Sequence, residues 1–420
     1  MNNPTLPNDS SLPKEYTFPK DFLWGSATAG HQIEGDNKNS DWWAWEHRDR
    51  AKDSWLIKKT DNSKWPLEPS LKACDSYHRY EEDFDLAKKL NNNAIRFGVE
   101  WARLEPKPGE FDQKEFEHYK KMIKSAKDRG LKTFVTLHHF TSPNWLQKKG
   151  GWVAYKSSGL FARYAKKCAE EFGDLVDVYL TINEPQVYAT GSYLYGRWAP
   201  QKFSPIKTVV VMGNMQRAHK KAYKAIKSVG NYDVGIVKNI AWFENDPKSK
   251  NPLGSVYANI LRYLSNDYFL RPIKKHLDLI GLNYYFTSYV NHLNPRSNPN
   301  TEVSDLGWWL ETYGLKNILI DLKKYNLPIY ITENGLADAQ DTQRTWYINQ
   351  ALWKCAEAMQ EGSPLKGYFH WSLLDNYEWA DGFWPRFGLV EIDRENNLQR
   401  KPRPSFYEYA KICENGTIKK

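Results

Sequence analysis

Eight times along this 420-residue chain a short β-rich run, apolar on both sides, gives way to a longer amphipathic stretch. The runs are FLWGS (22–26), AIRFGV (94–99), TFVTLHH (133–139), DVYLTINE (177–184), VGIVKNI (234–240), LDLIGLNYY (277–285), PIYITEN (328–334) and GYFHWS (367–372). A strand without a polar face is covered on both sides, which is the condition of a parallel strand inside a layer of helices. The intervening segments 76–90, 114–130, 159–173, 210–228, 315–326 and 342–362 carry helical periodicity, and 114–130 stops on a glycine, as a helix C-terminus does. Eightfold alternation predicts a closed (β/α)8 barrel, the TIM-barrel architecture, rather than an open sheet. With neither linker nor repeat interrupting it, residues 16–420 read as one barrel domain after a flexible segment, 1–15.

Chemistry in such a barrel sits at the C-terminal ends of the strands. Two of those ends nearly repeat each other: TINEP (181–185) closes the fourth strand with Glu184, and ITENG (331–335) closes the seventh with Glu333. The two are expected to face each other across the mouth. Two carboxylates converging there can share proton transfer and nucleophilic attack, hold a metal, or support structure through ion pairs. A metal is the weakest reading: neighbours on a strand alternate faces, so His138 and His139 cannot enter one pocket together, and no metal-ligating motif occurs. No metal and no cofactor are expected. Glycoside hydrolysis needs this pair, one carboxylic acid to protonate the leaving oxygen and one carboxylate to attack or to activate water.

Composition narrows the partners. Eighteen Trp and 26 Tyr exceed the needs of a core, and flat rings with a polar edge suit sugars, nucleobases or protein surfaces. The net charge of +9 raises the question of polyanions, but Lys and Arg alternate with Asp and Glu and never form a run of five, so a solvated basic surface is expected and nucleic acid is not. Cys74, Cys168, Cys355 and Cys413 are too scattered for a zinc site or a disulfide framework and read as buried thiols. No secretory pattern opens the sequence and no window approaches a membrane span, so a cytoplasmic protein is expected, with the sequons at 8–10 and 415–417 arising by chance.

The motifs FLWGSATAGHQIEG (22–35), CDSYHRYEEDFDLAKKL (74–90), AIRFGVEWARLEPKPGEFD (94–112), VTLHHFTSPNWL (135–146), TINEPQVYATGSYLYGRWAP (181–200), GLNYY (281–285), PIYITENGLAD (328–338) and GYFHWSLLDNYEWADGFWPRFGLVEID (367–393) cover nearly the whole chain in order. Together they resemble glycoside hydrolase family 1, the β-glucosidase and β-glycosidase family. The resemblance implies a retaining double displacement on a terminal β-glycoside or oligosaccharide, with Glu333 as nucleophile and Glu184 as acid/base, their carboxyls roughly 5–5.5 Å apart.

The resemblance also assigns the surroundings. Arg96, within the second strand, could as well make a rim ion pair, and Tyr285 could be an ordinary rim aromatic; by resemblance both hold Glu333. Asn183 would meet the sugar 2-hydroxyl. Gln32, His139, Glu378 and Trp379 would recognise the glycone over Trp371 as a floor, with Asn283 and Phe387 in the same lining. Glu378 and Pro385 stand where relatives acting on 6-phosphorylated sugars carry a small hydroxyl residue and a lysine, which implies an unphosphorylated glycone. Departures are Phe140 for a tryptophan, His31 for a tyrosine, Ala351 for a histidine, and short connections between strands five and six and strands six and seven, implying an open aglycone side. A barrel that only binds sugar, galactoside or fucoside specificity, and transglycosylation stay open. The presence of both glutamates argues against the first.

Overall fold

A computed structural model describes residues 14–246, 249, 253–291, 294–297 and 302–419. The sequon at 8–10 and parts of the two shortened connections lie outside them, as do residues 1–13 of the N-terminal segment.

The eight runs form a closed parallel barrel. Its strands are β1 (Leu23–Ala27), β2 (Ala94–Gly98), β3 (Lys132–Thr136), β4 (Val178–Asn183), β5 (Asp233–Asn239), β6 (Leu279–Asn283), β7 (Ile329–Asn334) and β8 (Leu365–Trp371), and β8 pairs with β1 to close the ring. Helices α1 (Ser76–Lys89), α2 (Gln113–Asp128), α3 (Ser157–Phe172), α4 (Pro205–Lys227), α5 (Gly254–Arg262), α6 (Tyr313–Asp321), α7 (Arg344–Gln360) and α8 (Pro404–Asn415) follow the strands in turn. Strand Glu15–Thr17 pairs antiparallel with Thr417–Lys419, which ties the start of the described chain to its end.

Burial on both faces explains the unbroken apolar strands. One row of side chains fills the barrel interior, among them Phe134, Val178, Leu180, Val237, Leu279 and Phe369. The alternate row, with Val234, Ile236, Ile280, Leu282 and Ile331, packs outward with the helices. Phe134 is the hub of the floor, its ring 4.8 Å from Phe369 and 5.2 Å from Tyr330 between centroids. Local signals set the helix ends: Asp112 caps α2 by accepting from the backbone N–H groups of Lys114 and Glu115, and Ser204 caps α4 ahead of Pro205.

Two helices escape the periodicity reading. Helix α5 is short, and its apolar residues Val256 and Ile260 are half exposed beside Ser255 and Asn259, so apolar spacing does not separate its covered side from its wet one. Helix α8 is signalled by its ends, Pro404 in the first turn and Gly416 at φ +62° just past the last. All four cysteines are buried free thiols.

Candidate active site

The tips of the strands carry a polar cluster in a water-poor setting. Glu333, near the end of β7, is 3% exposed and accepts at both oxygens: the Arg96 Nη1–H group donates to Oε1 at 2.5 Å and the Tyr285 hydroxyl to Oε2 at 2.5 Å. Arg96 is fully buried on β2, and three further N–H groups donate to the Thr136 hydroxyl, the Thr332 carbonyl and Asn183 Oδ1. A guanidinium held this way has one geometry, so the Glu333 carboxylate inherits its orientation from three strands at once.

Glu184 follows the last residue of β4, and its backbone N–H donates to the Val237 carbonyl of β5. Its own φ is +41°, a left-handed conformation at the joint between the strand and the short helix Pro185–Ala189. Phe140 (φ +70°) and Trp379 (φ +53°) share that rarity at the same rim. Each such position costs on the order of 1–3 kcal/mol and persists where the surroundings over-determine it. The Glu184 Oε1 atom accepts from Asn283 Nδ2 at 2.8 Å and from Asn239 Nδ2 at 3.0 Å. Burial, and then the nearby Glu333 charge, push its carboxyl up to about 7.

The fourth and seventh strands do not face each other directly, because β5 and β6 lie between them. The amides at the tips of those two strands bridge the gap. Asn283 donates to Glu184 and, at 3.3 Å, to Asn183 Oδ1, while its own oxygen accepts from the Thr332 hydroxyl beside Glu333. Asn183 Oδ1 is thus shared by Arg96 and Asn283, and its Nδ2 donates to His139 Nε2 at 2.9 Å. One Asn183 amide proton is left over.

The chain matches the model of "Glycosyl hydrolase family 1" over residues 14–275 and 265–417. The chain belongs to that family. Family 1 relatives include "Beta-glucosidase A" of Thermotoga maritima, 33% identical with 96% of this chain and 98% of the relative covered. "Beta-galactosidase" of Pyrococcus woesei is 30% identical over the same shares of the two chains. Among solved structures, "beta-glycosidase from Pyrococcus horikoshii" superposes with a TM-score of 0.86 at 36% identity, covering 96% of each chain. This family 1 chain is a glycoside hydrolase, and its fold is the (β/α)8 barrel of those glycosidases.

The remaining residues singled out from the sequence gather around two indoles. Trp371 ends β8, and Trp379 lies in the loop beyond it; His139 stacks between them, its ring centroid 6.0 Å from the one and 5.8 Å from the other. Burial and the Arg96 charge hold His139 well below the usual imidazole range, so it is neutral, and with Nε2 accepting from Asn183 its proton sits on Nδ1. His138 points the other way and bonds the Ser142 hydroxyl, as strand alternation demands. Gln32 donates to Asn376 Oδ1 and the Tyr377 carbonyl, anchoring the β8 loop. Within this group of residues, the buried atoms Gln32 Oε1, His139 Nδ1 and Glu378 Oε2 have no partner among the described protein atoms. Burial, with Asp381, Glu333 and Glu184 nearby, pushes Glu378 well above the usual carboxyl range. Phe387 packs against Trp371 in the interior cluster, with Tyr285 edge-on to it.

Phe140 fills the space between Trp379 and Trp198, at 5.0 and 4.9 Å, and His31 lies flat behind Trp379 while bonding Glu46 at 2.8 Å. Ala351 is buried in α7. Asn239, Thr332 and Trp308 were not singled out from the sequence, although the first and second contribute bonds to the central network and the third packs on Tyr285. The only sequence signal for Asn239 is a polar residue at the C-terminal end of an otherwise apolar strand.

Proposed function

We propose that the chain hydrolyses terminal, unphosphorylated β-glycosides with retention at the anomeric carbon, with β-glucosides as its main substrates. The observation that carries this is the opposite treatment of the two glutamates. Glu333 receives a guanidinium and a phenol, which aim it as a hydrogen-bond acceptor, whereas Glu184 receives amides and is pushed up to about 7, so it can hold a proton when substrate arrives. In the first half-reaction Glu333 attacks the anomeric carbon as Glu184 protonates the departing oxygen, leaving a glycosyl ester on Glu333. Esterification removes the Glu333 charge that helped raise Glu184. Glu184, already ionised by that proton transfer, takes a proton from water as the water oxygen attacks the anomeric carbon, and the bond from the sugar to Glu333 breaks.

The glycone is read by the partnerless atoms: Gln32 Oε1 accepts, His139 Nδ1–H donates, and Glu378 Oε2 takes a further hydroxyl. Asn183 offers its spare proton to the 2-hydroxyl. Three carboxyl groups near enough to act on one another, Glu184, Glu333 and Glu378, disfavour a sugar phosphate, while Arg197 is already paired with Asp381. Among the described residues no helix is long and apolar enough to cross a membrane, and a cytoplasmic location fits a chain acting on imported small glycosides.

A panel of 4-nitrophenyl β-glucoside, β-galactoside, β-fucoside and β-mannoside tests the reading, with Glu333→Ala as control and NMR of the first-formed anomer. Glucoside preferred, β-anomer first and an inert variant are expected; α-anomer first, or equal activity in the variant, overturns it.

A further inference from the structure

Strand β5 carries a lysine where its pattern calls for an aliphatic residue. In VGIVKNI the inward row is Gly235, Val237 and Asn239, and the outward row is Val234, Ile236, Lys238 and Ile240. Val234, Ile236 and Ile240 all join the apolar layer between barrel and helices. Lys238 sits in that row at 1% exposure. A buried ammonium without compensation is costly, so what compensates it is informative.

Its Nζ donates to two carbonyls, Asn239 at 2.5 Å and Ser265 at 2.7 Å. Ser265 belongs to the helical turn Tyr263–Asp267, and the same turn accepts from Gln186 Nε2 at the Leu264 carbonyl, 2.8 Å away. Gln186 is two residues beyond Glu184. Lys238 therefore lies between both anchors of Glu184 on β5, the Val237 carbonyl that receives its N–H and the Asn239 amide that donates to its carboxylate. The acid groups around it sort cleanly: Asp267, on the same turn, is engaged by Lys324 and Tyr325, and Glu184 is the carboxyl whose field acts on Lys238. Glu184 in turn faces Glu333 from β7, Lys238 from β5, the Tyr285 phenol beyond β6, Glu378 beyond β8, and neutral amides from β5 and β6.

Resting on Glu184 as the acid/base, we propose that Lys238 is a positioning residue for it: its charge, held outside the barrel wall, favours ionised Glu184, and its two bonds clamp the strand tip that presents Asn239. The attraction is reciprocal: burial draws Lys238 down to about 7 against the opposing pull of the Glu184 charge, so the cation is best kept while Glu184 is ionised. The benefit falls in the second half-reaction, where Glu184 must be a base and the Glu333 charge is gone.

Two variants separate charge from clamp. Lys238→Met removes both, whereas Lys238→Gln keeps an N–H donor for the carbonyls and removes the charge alone. The alkaline limb of kcat/KM for 4-nitrophenyl β-glucoside reports loss of the Glu184 proton, so it moves to higher pH when the cation is deleted, by on the order of half a pH unit. Both variants are expected to show that shift, with kcat falling more than kcat/KM. A wild-type limb in Lys238→Gln, with only a lowered melting temperature in Lys238→Met, overturns the proposal in favour of packing. Glu184→Gln run alongside is expected to lose the limb. If the limb survives there, the assignment of Glu184 falls and takes the inference with it; if it vanishes there but stays put in both lysine variants, the inference alone falls.

Discussion

Glu184 and Glu333 are the same residue type at equivalent strand ends, and their neighbours hold them differently. A phenol and a guanidinium on Glu333 are donors to its charged form, and removing one leaves the carboxylate free to turn. Tyr285→Phe deletes a hydrogen bond to a charged group, worth about 1.5–3 kcal/mol, so kcat/KM should fall about 10- to 100-fold with little change in fold. Glu184→Gln keeps the amide-lined pocket but cannot deliver a proton. Its kcat/KM should drop by about 10²–10⁴ for an alkyl glucoside and far less for a dinitrophenyl glucoside, whose leaving group needs no acid. Equal losses on the two substrates would refute the assignment. For the wild type, activity should decline as pH rises through about 7, the value to which Glu184 is pushed, because the productive form of the free enzyme carries its proton.

Strand tips act as units here, since each one delivers a side chain whose direction depends on how closely its neighbour approaches. The glycine of ITENG shows this. A Cβ on Gly335 would lie 1.8 Å from the carbonyl oxygen of Trp371, so β7 and β8 can meet at the rim only if that residue has no side chain. Gly335→Ala should cost about 1–3 kcal/mol of stability and damage activity as well, because both Glu333 and the Trp371 platform must shift. Gly416→Ala offers the contrast. Nothing lies within 4 Å of its added Cβ, yet its φ of +62° penalises alanine by about 1 kcal/mol, so the melting temperature should drop with kcat unchanged. Calorimetry beside steady-state kinetics distinguishes steric conflict at the site from backbone cost far from it.

The molecule as a whole stores ionisable groups in their neutral forms. All four thiols are pushed up from their ordinary range by burial, as are the phenols of Tyr119, Tyr164, Tyr284 and Tyr409. The unfolded chain releases these protons near pH 9–10 while the native one keeps them, so the native state binds more protons there and stability falls as pH rises. Each group contributes a slope of about 1.4 kcal/mol per pH unit above its unfolded value. Urea midpoints should therefore decrease steeply from pH 8.5 to 10.5; a flat profile would contradict the burial of these side chains.

Strand periodicity alone determined the barrel, because a run apolar on both faces has few other homes, and eight such runs close into a ring. The repeated Glu–Asn endings likewise marked two strands out of eight. What the chain order could not express was which amides would lie beside which acid. Asn239 and Lys238 are adjacent in sequence, yet one enters the pocket and the other supports it from outside, and only the ring brings β5 and β6 between the two glutamates. Helix α5 went unread because its apolar residues are half exposed. Local pattern records whether a residue is covered; the partner that covers it is chosen when distant strands are curled together, and the proton on Glu184 is a property of that closure.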